Sequence, residues 1–183
     1  LMINQRVLPA IKHMKDFEHL LRSDSEYIIL LDTRLGLLKK LVKAGQKAGK
    51  KILIHIDLIQ GLKADEYGME FVGREVRPDG VISTRSSVIQ RAKKYGLITV
   101  QRLFLIDSQA IDHNVKIIKK TQPDFVEVLP GILPGMIREI KERLGVPVIA
   151  GGLIRTKKEV DEAIDSGVSA VTTSRKELWE FNM

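Results

Sequence analysis

The sequence predicts a compact α/β barrel of the (β/α)8 (TIM) type, and three observations carry that expectation. Short apolar runs rich in Val and Ile recur eight times: Val7 to Ile11, Tyr27 to Leu31, Ile52 to Ile56, Gly80 to Ser83, Leu97 to Leu103, Phe125 to Leu129, Val148 to Ala150 and Ala170 to Thr173. Each is followed by a polar turn and a segment of helical periodicity, and strict alternation of strand and helix produces a parallel sheet with right-handed crossovers. The 183 residues divide into about 23 per unit, room for a strand, a helix of about eleven residues and two short loops.

The helical segments show their faces in order. Phe17, Leu20 and Leu21 share one side, as do Leu37, Leu38, Leu41 and Val42, and further along Val115 and Ile118. Stop and start signals agree. Asp107-Ser108 opens a helix running toward Lys120, and Gln122-Pro123-Asp124 ends it; Gly145-Val146-Pro147 and Ser166-Gly167 punctuate the approach to the seventh and eighth strands. A doubly wound open sheet is the alternative, disfavoured because no Gly-x-Gly-x-x-Gly follows the first strand. At 183 residues the chain is shorter than the ~250 typical of this barrel, so its loops must be trimmed, and residues 1–183 read as a single domain.

Composition narrows the function. Hydrophobic residues at 44% and charged residues at 29% suit a globular protein, and no run approaches the ~18 apolar residues of a membrane span. No membrane association is expected, and a cytoplasmic location is. The absence of cysteine removes disulfides, thiolate metal sites and cysteine nucleophiles from consideration. Thirty Lys and Arg against 23 Asp and Glu leave a formal charge of +7, which favours anionic partners.

In this barrel class ligands bind where strands end, and phosphate is commonly held after strands seven and eight. There the chain reads Ala150-Gly151-Gly152 and Thr172-Thr173-Ser174. Gly151 and Gly152 would let an anion approach backbone amides, while Thr173 and Ser174 offer hydroxyls before an expected helix from Arg175. The competing explanation is a tight turn and an ordinary cap. Polar groups at other strand ends form a second set of candidate ligand contacts: Lys12, Asp32, His55, Asp57, Thr84, Arg102 and Glu127, with Ser83 and Gln101 beside them. His55 and Asp57, two apart on one expected strand, should face the same side.

No complete catalytic constellation is visible. Only four His are present and His13, His19 and His113 lie in or next to helices, strands five and six carry no Schiff-base lysine, and neither a metal nor a cofactor is expected. Glu127 or Asp57 as base with Lys12 as electrophile would still fit an isomerase-like scheme, so an enzyme acting on a small phosphate ester, or a former enzyme serving as a scaffold, stays open.

One helix stands apart. From Gly36 to Lys51 the chain carries Lys39, Lys40, Lys43, Lys47, Lys50 and Lys51 with no acidic residue, and such a stripe can track a phosphate backbone. A solvated surface is the plainer explanation, and aromatics at 5% argue against a base-stacking platform.

The segments Arg6-Val-Leu-Pro-Ala-Ile-Lys12, Lys51-Ile-Leu-Ile-His-Ile-Asp-Leu-Ile-Gln-Gly-Leu62, Asp79-Gly-Val-Ile-Ser-Thr-Arg85, Val100-Gln-Arg-Leu-Phe104, Val126-Glu-Val-Leu-Pro-Gly131 and Pro147-Val-Ile-Ala-Gly-Gly152 together resemble the glycerol uptake operon antiterminator regulatory proteins of Gram-positive bacteria. The likeness runs from about Arg6 to Trp179. It implies a regulator that senses glycerol 3-phosphate as effector and then binds the leader mRNA of glycerol-utilisation genes, so that transcription passes a terminator. Combined with the residues above, it would put phosphate at Gly151, Gly152 and Ser174, glycerol hydroxyls at His55, Asp57 and Glu127, and RNA on the basic helices. Oligomeric state is not legible.

Overall fold

Runs such as Val7–Ile11 and Tyr27–Leu30 show no polar alternation, which a strand tolerates when both faces are covered, and every residue of both is buried. The computed structural model describes residues 1–182. Among them eight strands close into a barrel in chain order: β1 (Val7–Ile11), β2 (Tyr27–Leu30), β3 (Lys51–His55), β4 (Gly80–Ser83), β5 (Ile98–Phe104), β6 (Phe125–Leu129), β7 (Val148–Gly151) and β8 (Ala170–Thr173), with β8 pairing back onto β1. The helices are α1 (Met14–Leu21), α2 (Leu35–Lys47), α3 (Glu66–Phe71), α4 (Ser86–Lys94), α5 (Ser108–Thr121), α6 (Pro134–Leu144) and α7 (Lys157–Asp165). All eight expected strands form. Those at Val7, Gly80, Phe125 and Ala170 have the expected bounds, while β3 and β5 shift by one residue.

The chain groups into two compact units, one of Leu1–Pro9 with Val100 onward, the other Ala10–Thr99. In the first, β6 is parallel to both β5 and β7, with Arg102 opposite Glu127 and Val126 opposite Val148, and β7 pairs with β8 through Ala150 opposite Val171. Asp107 caps α5, its carboxylate accepting from the Ala110 N–H at 2.8 Å. Pro134 opens α6 and Gly145, at φ 64°, ends it; Thr156 and Glu159 form a capping box on α7. The C-terminal residues return to β1, where Asn182 Oδ1 accepts from the Val7 N–H at 2.9 Å.

In the second unit β2, β3 and β4 form successive parallel pairs. Outside the barrel, two-residue strands at Thr33–Arg34 and Ile59–Gln60 also pair. Asp79, just before β4, accepts from the Ile52 N–H at 2.8 Å and the Gln46 amide at 3.1 Å, pinning the start of β3 to α2. Helix α2 buries Leu38, Leu41, Val42 and Gly45. Leu37, expected on that apolar face, is 40% exposed because the buried stripe continues through Gly45 instead. Helix α3 runs into a π-helical turn, Val72–Val76. No helix among the described residues is long and apolar enough to cross a membrane.

Two glycines of α2 should respond oppositely to one methyl group. Alanine is favoured over glycine in a helix by ~1 kcal/mol, and at Gly36 a Cβ meets nothing within 4 Å. At Gly45 a Cβ would collide with the buried Ile52 side chain, an overpacking worth ~1–3 kcal/mol. Urea unfolding of Gly36→Ala should show a raised midpoint and Gly45→Ala a lowered one; equal shifts would contradict this packing.

Candidate functional site

In the first unit the residues expected to meet phosphate lie at the C-terminal ends of β7 and β8. Gly152 and Leu153 turn the chain with φ of 80° and 62°, and the Gly152 carbonyl accepts from the Gly131 N–H at 3.0 Å. The Leu105 N–H donates to the Leu129 carbonyl at 2.7 Å, so the segments after β5, β6 and β7 are joined backbone to backbone. The two glycines have different reasons to be glycine. Gly152 needs its positive φ. A Cβ on Gly151 would collide with Glu127 Oε1 and Thr172 Oγ1, so the missing side chain leaves room for both.

Thr173 is buried and Ser174 exposed. The helix expected from Arg175 does not form. Lys176–Leu178 is a three-residue 3-10 turn, because Trp179 folds back and its indole N–H donates to the Thr173 carbonyl at 2.9 Å. So short a turn carries little dipole to add at Ser174. Thr173 Oγ1 accepts from the Arg175 N–H at 3.1 Å.

Glu127, near the middle of β6, is 5% exposed. Thr172 donates to its Oε1 at 3.3 Å, and Arg102 Nη2 lies 3.7 Å from the same oxygen. Burial pushes the Glu127 carboxyl up from its ordinary range, opposed by the Arg102 charge and the Thr172 hydrogen bond. The Arg102 guanidinium also sits 5.3 Å from the centre of the Phe104 ring.

In the second unit His55 ends β3 and is 3% exposed. Asp57 lies not on that strand but in a 3-10 turn, Ile56–Leu58, so the period-two argument placing it beside His55 does not apply. Its carboxylate is saturated by protein donors. Oδ1 accepts from Arg85 Nε at 3.0 Å and Nη2 at 2.8 Å, Oδ2 from the Ser83 hydroxyl at 2.9 Å and the Thr84 N–H at 3.1 Å. Arg85 is not among the residues the sequence singles out as site candidates; its position two residues past the end of β4 is the signal that could have found it. Thr84, Lys12 and Asp32 are exposed or half-buried at the rim, and Asp32 accepts from the Gln60 amide at 3.0 Å. Lys12 and Asp32 line a cavity of about 180 Å³ with His13, Arg34 and Gln60.

The lysine stripe of α2 is partly neutralised. Lys39 pairs with Glu75 of the π-helical turn at 3.0 Å, and that hydrogen bond holds the Glu75 carboxyl below its usual range. Lys51 pairs with Glu26 at 2.9 Å, and Lys50 donates to the Ser23 carbonyl. Lys40, Lys43 and Lys47 remain exposed, one face at i, i+3, i+7.

A family model described as glycerol-3-phosphate responsive antiterminator matches residues 7–179. The crystal structure of a glycerol uptake operon antiterminator regulatory protein from Listeria monocytogenes is 47% identical with a TM-score of 0.95, covering 99% of this chain and all of that one. A glycerol uptake operon antiterminator-related protein from Thermotoga maritima is 31% identical with a TM-score of 0.85, covering 97% and 99%. The Escherichia coli K12 protein YgcP is 31% identical over 173 residues, 94% of this chain and 91% of its own.

The Asp57 clip makes stability depend on pH. Burial alone would raise this carboxyl, but the hydrogen bonds from Arg85, Thr84 and Ser83 outweigh it and hold the group below its ordinary value of 3.8. A depressed folded-state value means the stabilisation is present above the unfolded value and disappears as pH falls through the folded one. Asp57→Asn should therefore cost ~1–3 kcal/mol at pH 7, and the gap from the parent protein should close in urea melts taken toward pH 3. A gap independent of pH would show that Asp57 is not held as the carboxylate.

Proposed function

We propose, from the premise that the chain belongs to the glycerol-3-phosphate responsive antiterminator family, that it is an effector-gated regulator which binds glycerol 3-phosphate and, when loaded, the leader mRNA of glycerol-utilisation genes. The observation that carries the effector half is the buried Glu127, held between Arg102 and Thr172 beside the Gly151-Gly152 turn. Phosphate is assigned to the amides and hydroxyls around Gly152, Thr173 and Ser174, and the glycerol hydroxyls to Glu127. A regulator's task needs binding that differs between two states, not turnover. The saturation of Asp57 by four donors also removes one of the two carboxylates an isomerase-like scheme would use as base.

RNA is assigned to α2 through Lys40, Lys43 and Lys47. With few aromatics and no base-reading motif, recognition would rest on backbone charge and RNA shape. Lys39, paired to Glu75, contributes less.

Titration of a leader hairpin at fixed moderate salt should show tighter binding with glycerol 3-phosphate than without, and by linkage RNA should tighten effector binding by the same factor. Equal RNA affinity in both conditions would end the gating claim; turnover of the effector would revive the enzyme reading.

Replacing Lys40→Glu with Lys43→Glu should weaken RNA binding and lower its salt slope by ~0.7–0.9 for each phosphate no longer neutralised, leaving effector affinity nearly unchanged. Unaltered RNA binding would move the interface off α2.

A further inference from the structure

We infer that the cavity where β1 and β2 end beside α2 receives one unstacked nucleotide of a single-stranded RNA segment, its base against the apolar wall and its phosphate on Lys12, His13 and Arg34. The inference rests on the RNA half of the reading above and adds to it a place for a base, which a lysine stripe alone does not provide.

Three features of this cavity, all within the second unit, carry the inference. The first is charge. Among the described residues the side chains of Lys12, His13 and Arg34 form no hydrogen bond or ion pair, although all three line one cavity of about 180 Å³. The carboxylate on that wall, Asp32, accepts from the Gln60 amide at 3.0 Å and pairs with none of them. Basic groups gathered without a counter-charge repel one another, and an anionic ligand relieves that repulsion.

The second is shape. Met14 and Leu37, 46% and 40% exposed, line the cavity together with the buried Leu41. At ~30 Å³ per water the space holds about six waters, more than a lone phosphate fills and enough for one nucleobase. A duplex edge cannot enter so narrow a recess. A base splayed from a loop can, packing on aliphatic side chains and on the plane of an arginine guanidinium, so the scarcity of aromatics does not prevent base contact here.

The third is position. Thr33–Arg34 pairs with Ile59–Gln60 outside the barrel, which fixes the Arg34 backbone at the cavity wall. Leu37 and Lys40 lie three apart on α2, so the exposed stripe of Lys40, Lys43 and Lys47 begins one helical step from the cavity. A strand whose base sits against Leu37 therefore has neighbouring phosphates within reach of that stripe. A free phosphate ester would use the basic groups of the cavity and leave the stripe idle, which decides for the polymer.

The test measures binding of a leader hairpin to the full chain across a salt series, with glycerol 3-phosphate present. Leu37→Ser changes an exposed residue and removes no charge; it should weaken RNA binding about fivefold or more with the salt slope unchanged. Arg34→Gln should weaken binding and lower the slope by ~0.7, the share of one phosphate on a single strand. Unchanged RNA affinity in Leu37→Ser, with Lys40→Glu and Lys43→Glu together still weakening it, would overturn this inference and leave RNA on α2. Failure of the parent protein to bind the hairpin would overturn both. Loss of glycerol 3-phosphate binding in Arg34→Gln would give the cavity to the effector and overturn it as well. Should Leu37→Ser not fold, the RNA decides: replacing the unpaired nucleotides of the hairpin one at a time by abasic units should cost the parent protein about fivefold at one position, and a loss at no position would sink the proposal.

Discussion

A carboxylate in the wall of a parallel barrel has to be compensated, and in the first unit much follows from how Glu127 meets that demand. Arg102, its register partner on the adjacent strand, supplies the charge; Thr172 on β8 supplies a hydrogen bond; Gly151 on β7 supplies space. Strands β5, β7 and β8 each contribute one element around the β6 glutamate, and removal of any one leaves that buried carboxyl short of something. Leaving a buried ionised group uncompensated is among the costlier errors a fold can contain.

The same economy of donors separates the two units' carboxylates. Asp57 has two donors on each oxygen and ties a 3-10 turn to the segment after β4, so it is closed to a ligand. Glu127 has one hydroxyl hydrogen bond, from Thr172, and a longer contact from Arg102, both to Oε1. Residue type does not tell these apart. The difference is a count of hydrogen-bond donors, which only the three-dimensional arrangement supplies.

That contrast also marks what the sequence makes legible. Strand positions are readable because both faces of such strands are buried, which writes an apolar run without polar alternation into the chain, as at Val7–Ile11 and Tyr27–Leu30. Caps at Asp107 and Gly145 are readable because their chemistry is local. Long-range partners are not. Lys39 meets Glu75 and Asp57 meets Arg85 across separations of 36 and 28 residues, and no local pattern encodes either pairing. After Ser174 the expected helix gives way to a short turn because the hydrogen bond from Trp179 to the Thr173 carbonyl outweighs local helical preference.

Under the proposed function, electrostatics constrains how an effector could promote RNA binding at all. The chain carries a formal charge of +7, and a phosphate monoester brings about −1.5 to −2, so loading the site makes the protein a weaker cation. Through the field alone, screened over ~10 Å at moderate salt, effector binding should leave RNA affinity unchanged or slightly reduce it. Tightening of RNA binding by the effector therefore requires two conformational states that differ in how they present the basic surface, with the effector preferring one of them. The segments after β5, β6 and β7 have a suitable property, because their backbones are hydrogen-bonded in series through Leu105 to Leu129 and Gly131 to Gly152. A ligand that reorders one of them must move the others, whereas a ligand acting only through its charge would work against the RNA.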